Sequence, residues 1–340
     1  MRDLADEWFR LYVDPVLAVQ TGKNYRRVWV KWLAPQLGDV SLQSVTPRAV
    51  YELRAAMHEQ GAGVPTVRMA LAVLQSMFER AVEWGRVPLN PVRLVRKPRY
   101  RRPPAVRALS PITVEQIRAH LLARGNLRAA TLVSVLAYAG LRPGEALALR
   151  WQDIRRRTIL VERAVSAGEL KGTKNGVNRA VVIWPPLRTD LEAWRNASAP
   201  NHPSTLVFPD YQGNPWPWAT WGNWRKRSFA PAARSAGAPG IRPYDLRHAF
   251  CSLLLARGAT IIEVSDQAGH SPRMSLETYG HLLDETSLDG FESPTESIFA
   301  ARRQISESPS AVMPSKPIAT HHLSADWGQR GAGWRAATMA

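Results

Sequence analysis

The sequence predicts a mostly helical α+β chain divided into two domains, and three observations carry that expectation. Apolar residues recur at the helical period through the first 95 residues, most clearly at Val67, Ala70, Leu71, Leu74, Met77, Phe78, Ala81 and Val82. A stretch rich in proline and arginine, Pro88 to Pro104, then breaks any core-forming pattern. Beyond it the helical period returns, interrupted by Thr158–Val161 and Ala180–Ile183, two β-branched runs that read as strands of a small antiparallel sheet.

Taken in order, Leu4, Trp8 and Leu11 form a first amphipathic face, and Tyr25, Val28, Trp29 and Trp32 a second that ends near Pro35 and the Leu37-Gly38 turn. Thr46-Pro47 reads as a cap followed by proline in the first helical turn, ahead of Val50 and Leu53. Asn90-Pro91 closes this helical unit at about residue 95. Residues 96–107 read as a basic linker. Its prolines keep the chain extended, and Arg93, Arg96, Lys97, Arg99, Arg101 and Arg102 are cations that suit a phosphate backbone better than a core. If they do contact DNA, each phosphate neutralised enters the salt dependence of binding.

The second domain is expected over residues 108–290. Thr113 and Gln116 read as a capping box ahead of a helix at Val114–Leu122, and an apolar helix from Leu127 to Ala139 is stopped by Gly140. Arg142-Pro143-Gly144-Glu145 then opens another helix, placing Arg142 at an anion-favouring N-terminus. The connection between the two strands carries Lys171 and Lys174. Trp216, Trp218, Trp221 and Trp224 sit among Arg225, Lys226 and Arg227, a mixture that suits nucleic acid, although Trp221 and Trp224 also have core spacing. Asp245 reads as an N-cap for the helix carrying Arg247, Phe250 and Leu254, and Thr260 with Glu263 as a capping box for the next. The Gly269-His270-Ser271-Pro272 turn fixes a histidine, and a short helix brings up Tyr279. Residues 291–340 are polar and aperiodic and read as a largely disordered tail.

The net charge of +17 points to a polyanionic partner, nucleic acid first. No run of about 20 apolar residues or signal peptide is evident, and the lone Cys251 rules out an internal disulfide framework, so a bacterial cytoplasmic location acting at the nucleoid is expected. The histidines are dispersed and no cysteine pair exists, so neither a metal site nor a cofactor is expected.

The ordered set Arg142, Lys174, Arg247, His270 and Tyr279, with Gly-His and Tyr-Gly-His around the last two, resembles the boxes of the tyrosine recombinases, the phage-integrase family. The resemblance runs over roughly residues 1 to 290 and includes the LGDVSLQSVTP and NPV turns of the first domain. It implies a helical, SAM-like core-binding domain followed by a catalytic domain of helices around a small sheet. It also implies a site-specific recombinase that exchanges DNA strands through a 3′-phosphotyrosyl link, integrating or excising a phage or other mobile element. The partners implied are double-stranded attachment sites bound by a homotetramer on two duplexes, with an accessory DNA-bending or excision factor. Residues 287–305 would dock on a neighbouring protomer. No arm-binding segment precedes Leu4, so the chain is either a simple recombinase or shortened by its start codon.

Ester is exchanged for ester, so the chemistry requires neither ATP nor metal. It does require that a phenol of pKa about 10 lose its proton, a cost of roughly 4 kcal/mol at neutral pH. The phosphorane must also be met by fixed donors and the departing 5′-oxygen protonated. By the resemblance Tyr279 is the nucleophile, Arg142 and Arg247 hold the non-bridging oxygens, His270 bonds the phosphate, and Glu145 orients the arginines. Lys174 would protonate the leaving oxygen, with Lys171 as its rival. One departure stands out: the family's histidine three residues before the second arginine is Tyr244, which cannot act as a near-neutral base, while His248 reads as structural. That departure keeps a catalytically weak DNA-binding regulator in view, and the shared chemistry a type IB topoisomerase-like enzyme.

Overall fold

A computed structural model of the chain describes residues 1–99, 109–166, 168–172, 178–286 and 293–307. The chain divides into two compact units, Met1–Ala105 and Val106–Ala340, each with its own apolar cluster.

In the first unit α1 (Arg2–Trp8) passes through a π-turn (Phe9–Val13) into α2 (Asp14–Val16). The next segment repeats the device: α3 (Val19–Val28), a π-turn (Trp29–Leu33) and α4 (Ala34–Leu37). A π-turn spends one extra residue per turn and so rotates the helix face. Trp8, Phe9 and Val13 are therefore buried while Leu11 stays 46% exposed, which removes Leu11 from the face that a 3.6-residue period assigns it. The Trp8 ring stacks on Tyr25 with centroids 5.7 Å apart, joining the first two segments. After them come α5 (Pro47–Glu59), capped by Thr46, whose hydroxyl accepts from Ala49 N at 3.2 Å, and the long α6 (Val64–Glu83). The Asn90 side chain accepts from Val92 N and donates to Gln75 O, each at 3.0 Å, which holds the turn after α6.

The basic segment is anchored on this unit up to Pro98, because arginines of α5 and α6 satisfy its main-chain carbonyls. Arg54 donates to Arg96 O at 2.7 Å and Arg68 to Pro98 O at 3.0 Å. Arg93 pairs with Glu79 at 3.1 Å, while Arg96, Lys97 and Arg99 are exposed. Arg101 and Arg102 lie outside the described residues.

The second unit opens with α7 (Pro111–Leu122), one turn earlier than the Thr113–Gln116 pattern suggests, since Ser110 is the cap and Pro111 fits the first helical position. Then follow α8 (Leu127–Tyr138), apolar on every face and packed between α7, α10 and α13, and the short α9 (Pro143–Leu147). Strands β1 (Thr158–Val161), β2 (Arg163–Ser166), β3 (Glu169–Gly172) and β4 (Arg179–Val182) pair antiparallel as β1 with β4, Thr158 opposite Val182, and as β2 with β3, Ser166 opposite Glu169. The remaining elements are α10 (Pro185–Ser198), α11 (Trp218–Trp224) leading through a π-turn into α12 (Ala230–Ser235), α13 (Leu246–Ala256), α14 (Ile261–Ala268), α15 (Pro272–Thr286) and α16 (Pro294–Glu307).

Trp221 and Trp224 are core, as their spacing predicts, their rings stacking at 4.9 Å, and Trp216 joins them with Phe229, so of the four only Trp218 is exposed and free to meet a nucleic acid. The expected disorder of the tail also changes. The tail is helical over Pro294–Glu307. Ile298 and Ala301 are buried, and Arg302 pairs with Asp190 at 2.7 Å and Glu115 at 3.2 Å. Those acids also hold Arg118, with Asp190 at 2.5 Å. Two cations and two anions thus balance within one low-dielectric cluster, and α16 docks on its own α7 and α10 by charge as much as by apolar area.

Candidate active site

The C-terminus of α14 organises the site. Gly269 takes the left-handed conformation (φ +63°), and His270 N–H closes back on Ser265 O at 3.0 Å. Three successive carbonyls at this helix end lack helical donors, and each is taken by a different guanidinium. Arg179 Nε donates to Gln267 O at 2.9 Å, Arg247 Nη2 to Ala268 O, and Arg142 Nη2 to Gly269 O at 2.5 Å. The negative end of a helix therefore gathers three cations at one point. A β-carbon at Gly269 would lie 3.1 Å from Arg179 Nη1, so glycine answers both the backbone conformation and the close approach.

Glu145 ties two of these cations, Arg142 and Arg179, together from the other side. Placed in the first turn of α9, its carboxylate accepts from Arg142 N at 2.8 Å, Arg142 Nη1 at 2.9 Å, and Arg179 Nη1 and Nη2 at 3.0 and 2.6 Å. Burial by itself pushes this carboxyl upward, yet the bonds from Arg179 and the backbone of Arg142 outweigh it and carry the pKa down to about 2. Arg179 was absent from the sequence expectations. Nothing in the chain distinguishes an arginine that opens a strand and turns inward from one that faces solvent.

Arg247 is fully buried on α13, its other arm donating to Gly140 O. Gly140 has φ +59°, and a β-carbon there would run into the Phe250 ring one helix turn beyond Arg247's own position. Burial, and then the neighbouring Arg142, lower the Arg247 pKa to about 10, which leaves it charged at neutral pH. Three guanidiniums and one carboxylate leave a surplus of two positive charges around His270. Burial first, then Arg247 and Arg142, push the His270 imidazole down to about 3, so it is neutral and able to donate one N–H. Neither ring nitrogen has a protein partner among the described residues.

This predicts how stability depends on pH. A histidine held neutral by the fold contributes fully above its unfolded pKa near 6.5, and that contribution declines as pH falls toward the folded value. His270, His248 and His120 are all shifted downward, so the urea midpoint should fall steadily below about pH 6.5. Glu145 adds a second loss between its ordinary range and about pH 2. A His270→Gln chain should show a shallower decline between pH 6.5 and 4, measured by urea unfolding across that range.

Tyr279, on α15, is 1% exposed, and its hydroxyl lies 2.7 Å from His248 Nδ1. Burial, reinforced by Cys251, raises the phenol above its ordinary value. His248 thus touches the hydroxyl that the sequence assigns as nucleophile, in place of the structural role read for it. Tyr244 is 38% exposed and stands edge-on to the His248 ring, centroids 6.0 Å apart. Asp245 stands at the N-cap position of α13 but makes no side-chain cap bond; its carboxylate accepts from Arg242 N at 2.8 Å and pairs with the Arg242 guanidinium at 2.9 Å, closing the 3-10 turn before the helix. Thr260 and Glu263 do form their reciprocal cap, at 3.2 and 2.7 Å. Lys171 sits on β3 paired with Glu169 at 3.2 Å, and Lys174 lies outside the described residues. The structure therefore brings Arg142, Glu145, Arg247 and His270 into one cluster and places Tyr279 on His248, the immediate neighbour of Arg247 on α13.

Among the described residues no helix is long and apolar enough to cross a membrane. The family description "Phage integrase family" matches residues 108–286, more than half of the 340-residue chain. The chain is 26% identical over 282 residues to the ICEBs1 integrase of Bacillus subtilis, covering 76% of this chain and 73% of that protein. It is likewise 26% identical over 289 residues to tyrosine recombinase XerC of Xanthomonas axonopodis, covering 80% of this chain and 89% of the relative. Among solved structures, a lambda integrase tetramer bound to a Holliday junction aligns with TM-score 0.62 at 15% identity, over 79% of this chain and 76% of that one.

Proposed function

The chain belongs to the phage integrase family, and from that premise we propose that it is a site-specific DNA recombinase whose nucleophile is Tyr279. The observation that carries this reading is the cluster at the end of α14, where Arg142, Arg247 and His270 surround a surplus of positive charge close to the helix that bears Tyr279. A phosphodiester brings the missing negative charge. Its phosphorane would be met by preorganised guanidinium and imidazole donors in a largely dry site, where such contacts count most.

In this reading Tyr279 attacks phosphorus and forms the 3′-phosphotyrosyl link while the 5′-oxygen departs with a proton from Lys174, or from Lys171 on the same arm. Arg142 and His270 bond the non-bridging oxygens, Arg247 supplies charge from beneath, and Glu145 with Arg179 holds the arginines in place. The exposed Arg96, Lys97 and Arg99, with Arg93, Arg101 and Arg102, would follow the phosphate backbone. A homotetramer would bring two attachment-site duplexes together, as the lambda integrase tetramer is arranged on its Holliday junction, with a DNA-bending or excision factor setting direction. The reaction would take place on DNA in the bacterial cytoplasm and needs no cofactor.

The test uses labelled, nicked duplexes tiled across the DNA on either side of the gene that encodes the chain, incubated without metal or ATP. A denaturation-resistant adduct is expected, and mass spectrometry of its peptides should find the nucleotide on Tyr279. Tight binding to one duplex with no adduct at any pH would replace this reading with that of a DNA-binding regulator.

A further inference from the structure

The geometry points to His248 as the catalytic base that takes the proton from Tyr279. This rests on the reading of Tyr279 as nucleophile. The phenol oxygen is the reacting atom, it is buried, and His248 Nδ1 lies 2.7 Å from it, while its other side-chain partner, Cys251, is a thiol whose own pKa burial raises. Both partners ride on regular elements packed against each other, His248 on α13 and Tyr279 on α15, so the pair is held by helix packing and not by a loop. The neighbouring position, where the family usually has its histidine, holds Tyr244, whose ring meets only the edge of the imidazole. An imidazole thus meets the phenol from residue 248, although position 244 carries a tyrosine.

The step balances simply. The Tyr279 oxygen bonds to phosphorus as the bond from phosphorus to the 5′-oxygen breaks, and the phenol proton moves to Nδ1, giving an imidazolium with Nε2–H already in place. When a new 5′-hydroxyl attacks the phosphotyrosine, the proton returns to the departing phenolate. The groups facing His248 are Tyr244, Asp245, Arg242 and Arg247 from its own segment, Tyr279 from α15, and His270 from the turn before α15. Asp245 is engaged by Arg242, and burial together with the two arginines keeps the imidazole unprotonated and ready to accept.

The experiment measures single-turnover adduct formation from pH 5 to 10 on whichever tiled duplex reacts, for wild type, His248→Ala and His248→Gln. Glutamine can accept the Tyr279 hydrogen bond but cannot carry off its proton, which separates base from positioning residue. The His248→Gln rate at pH 7 should fall about 10²–10³-fold. The inflection on the acid side of neutrality should vanish, and the deficit should shrink as pH rises and hydroxide takes over the removal of the proton. The deficit should persist on a duplex with a bridging 5′-phosphorothiolate, whose thiolate leaves without a proton. A His248→Gln chain with wild-type rate and pH profile would overturn the assignment, as would full rescue by the phosphorothiolate, which would make His248 an acid. If wild type forms no adduct at all, the recombinase reading falls together with this one, an outcome distinct from either of those. Unfolding curves for both variants in parallel identify any loss that is merely structural.

Discussion

A Tyr279→Phe chain is expected to bind the reactive duplex as tightly as wild type and to form no covalent adduct at any pH. The loss is total because no oxygen remains to bond phosphorus, whereas removal of a stabilising donor would leave a measurable residue of activity. Binding should survive because Tyr279 is 1% exposed and offers no surface to DNA in the free protein. Phenylalanine fills the same space and leaves His248 Nδ1, at a half-buried position, and the buried Cys251 thiol without the hydroxyl. The change in unfolding free energy should therefore stay within about 1 kcal/mol. Adduct assay, fluorescence anisotropy and urea unfolding on one preparation separate the three quantities. An adduct that persists in this variant would move the nucleophile elsewhere, and Tyr244, 38% exposed on the adjoining turn, would be the first residue to examine.

Glu145→Ala is expected to be the most destabilising substitution at the site. The carboxylate is 3% exposed and is shared by two guanidiniums, so alanine leaves Arg142 and Arg179 facing each other with no counter-charge between them. Breaking a buried pair from one side costs about 3–5 kcal/mol, well above the worth of an exposed ion pair. Glu145→Gln keeps an acceptor but not the charge, and should fall between wild type and alanine. Because bound DNA brings its own phosphate charge, the stabilisation conferred by a saturating duplex should be larger for the alanine variant than for wild type. Adduct formation should also drop about 10²–10³-fold, since mispositioned arginines no longer meet the phosphorane. Urea unfolding with and without DNA measures the first two effects. A loss below about 1 kcal/mol would mean that Gln267, Ala268 and Gly269 carbonyls alone suffice to hold the cations.

How much of this was legible beforehand depends on the distance over which each feature is decided. The α6 stripe, the Thr46 and Asn90 caps and the Thr260–Glu263 box are relations between residues two to four apart, and the order of residues along the chain records such relations directly. The candidate site residues Arg142, Arg247, His270 and Tyr279 stand in short strings, so the sequence nominates them before any fold is known. The Leu11 error shows the limit of local reading, since a π-turn of five residues is enough to rotate a face away from its expected period.

What the sequence by itself determined is the inventory: which helices form, which boxes recur, and which side chains of the right chemistry are present. What only the tertiary structure decided is their convergence. Arg247 meets Gly140 across 107 residues of chain, and Arg142 meets Gly269 across 127. Arg179 turns inward onto Glu145, His248 meets Tyr279, and α16 is held by Arg302 on Asp190. Each of these depends on how two separately formed elements cross. That crossing is set by the collective packing of apolar faces, a property that no single stretch of sequence carries.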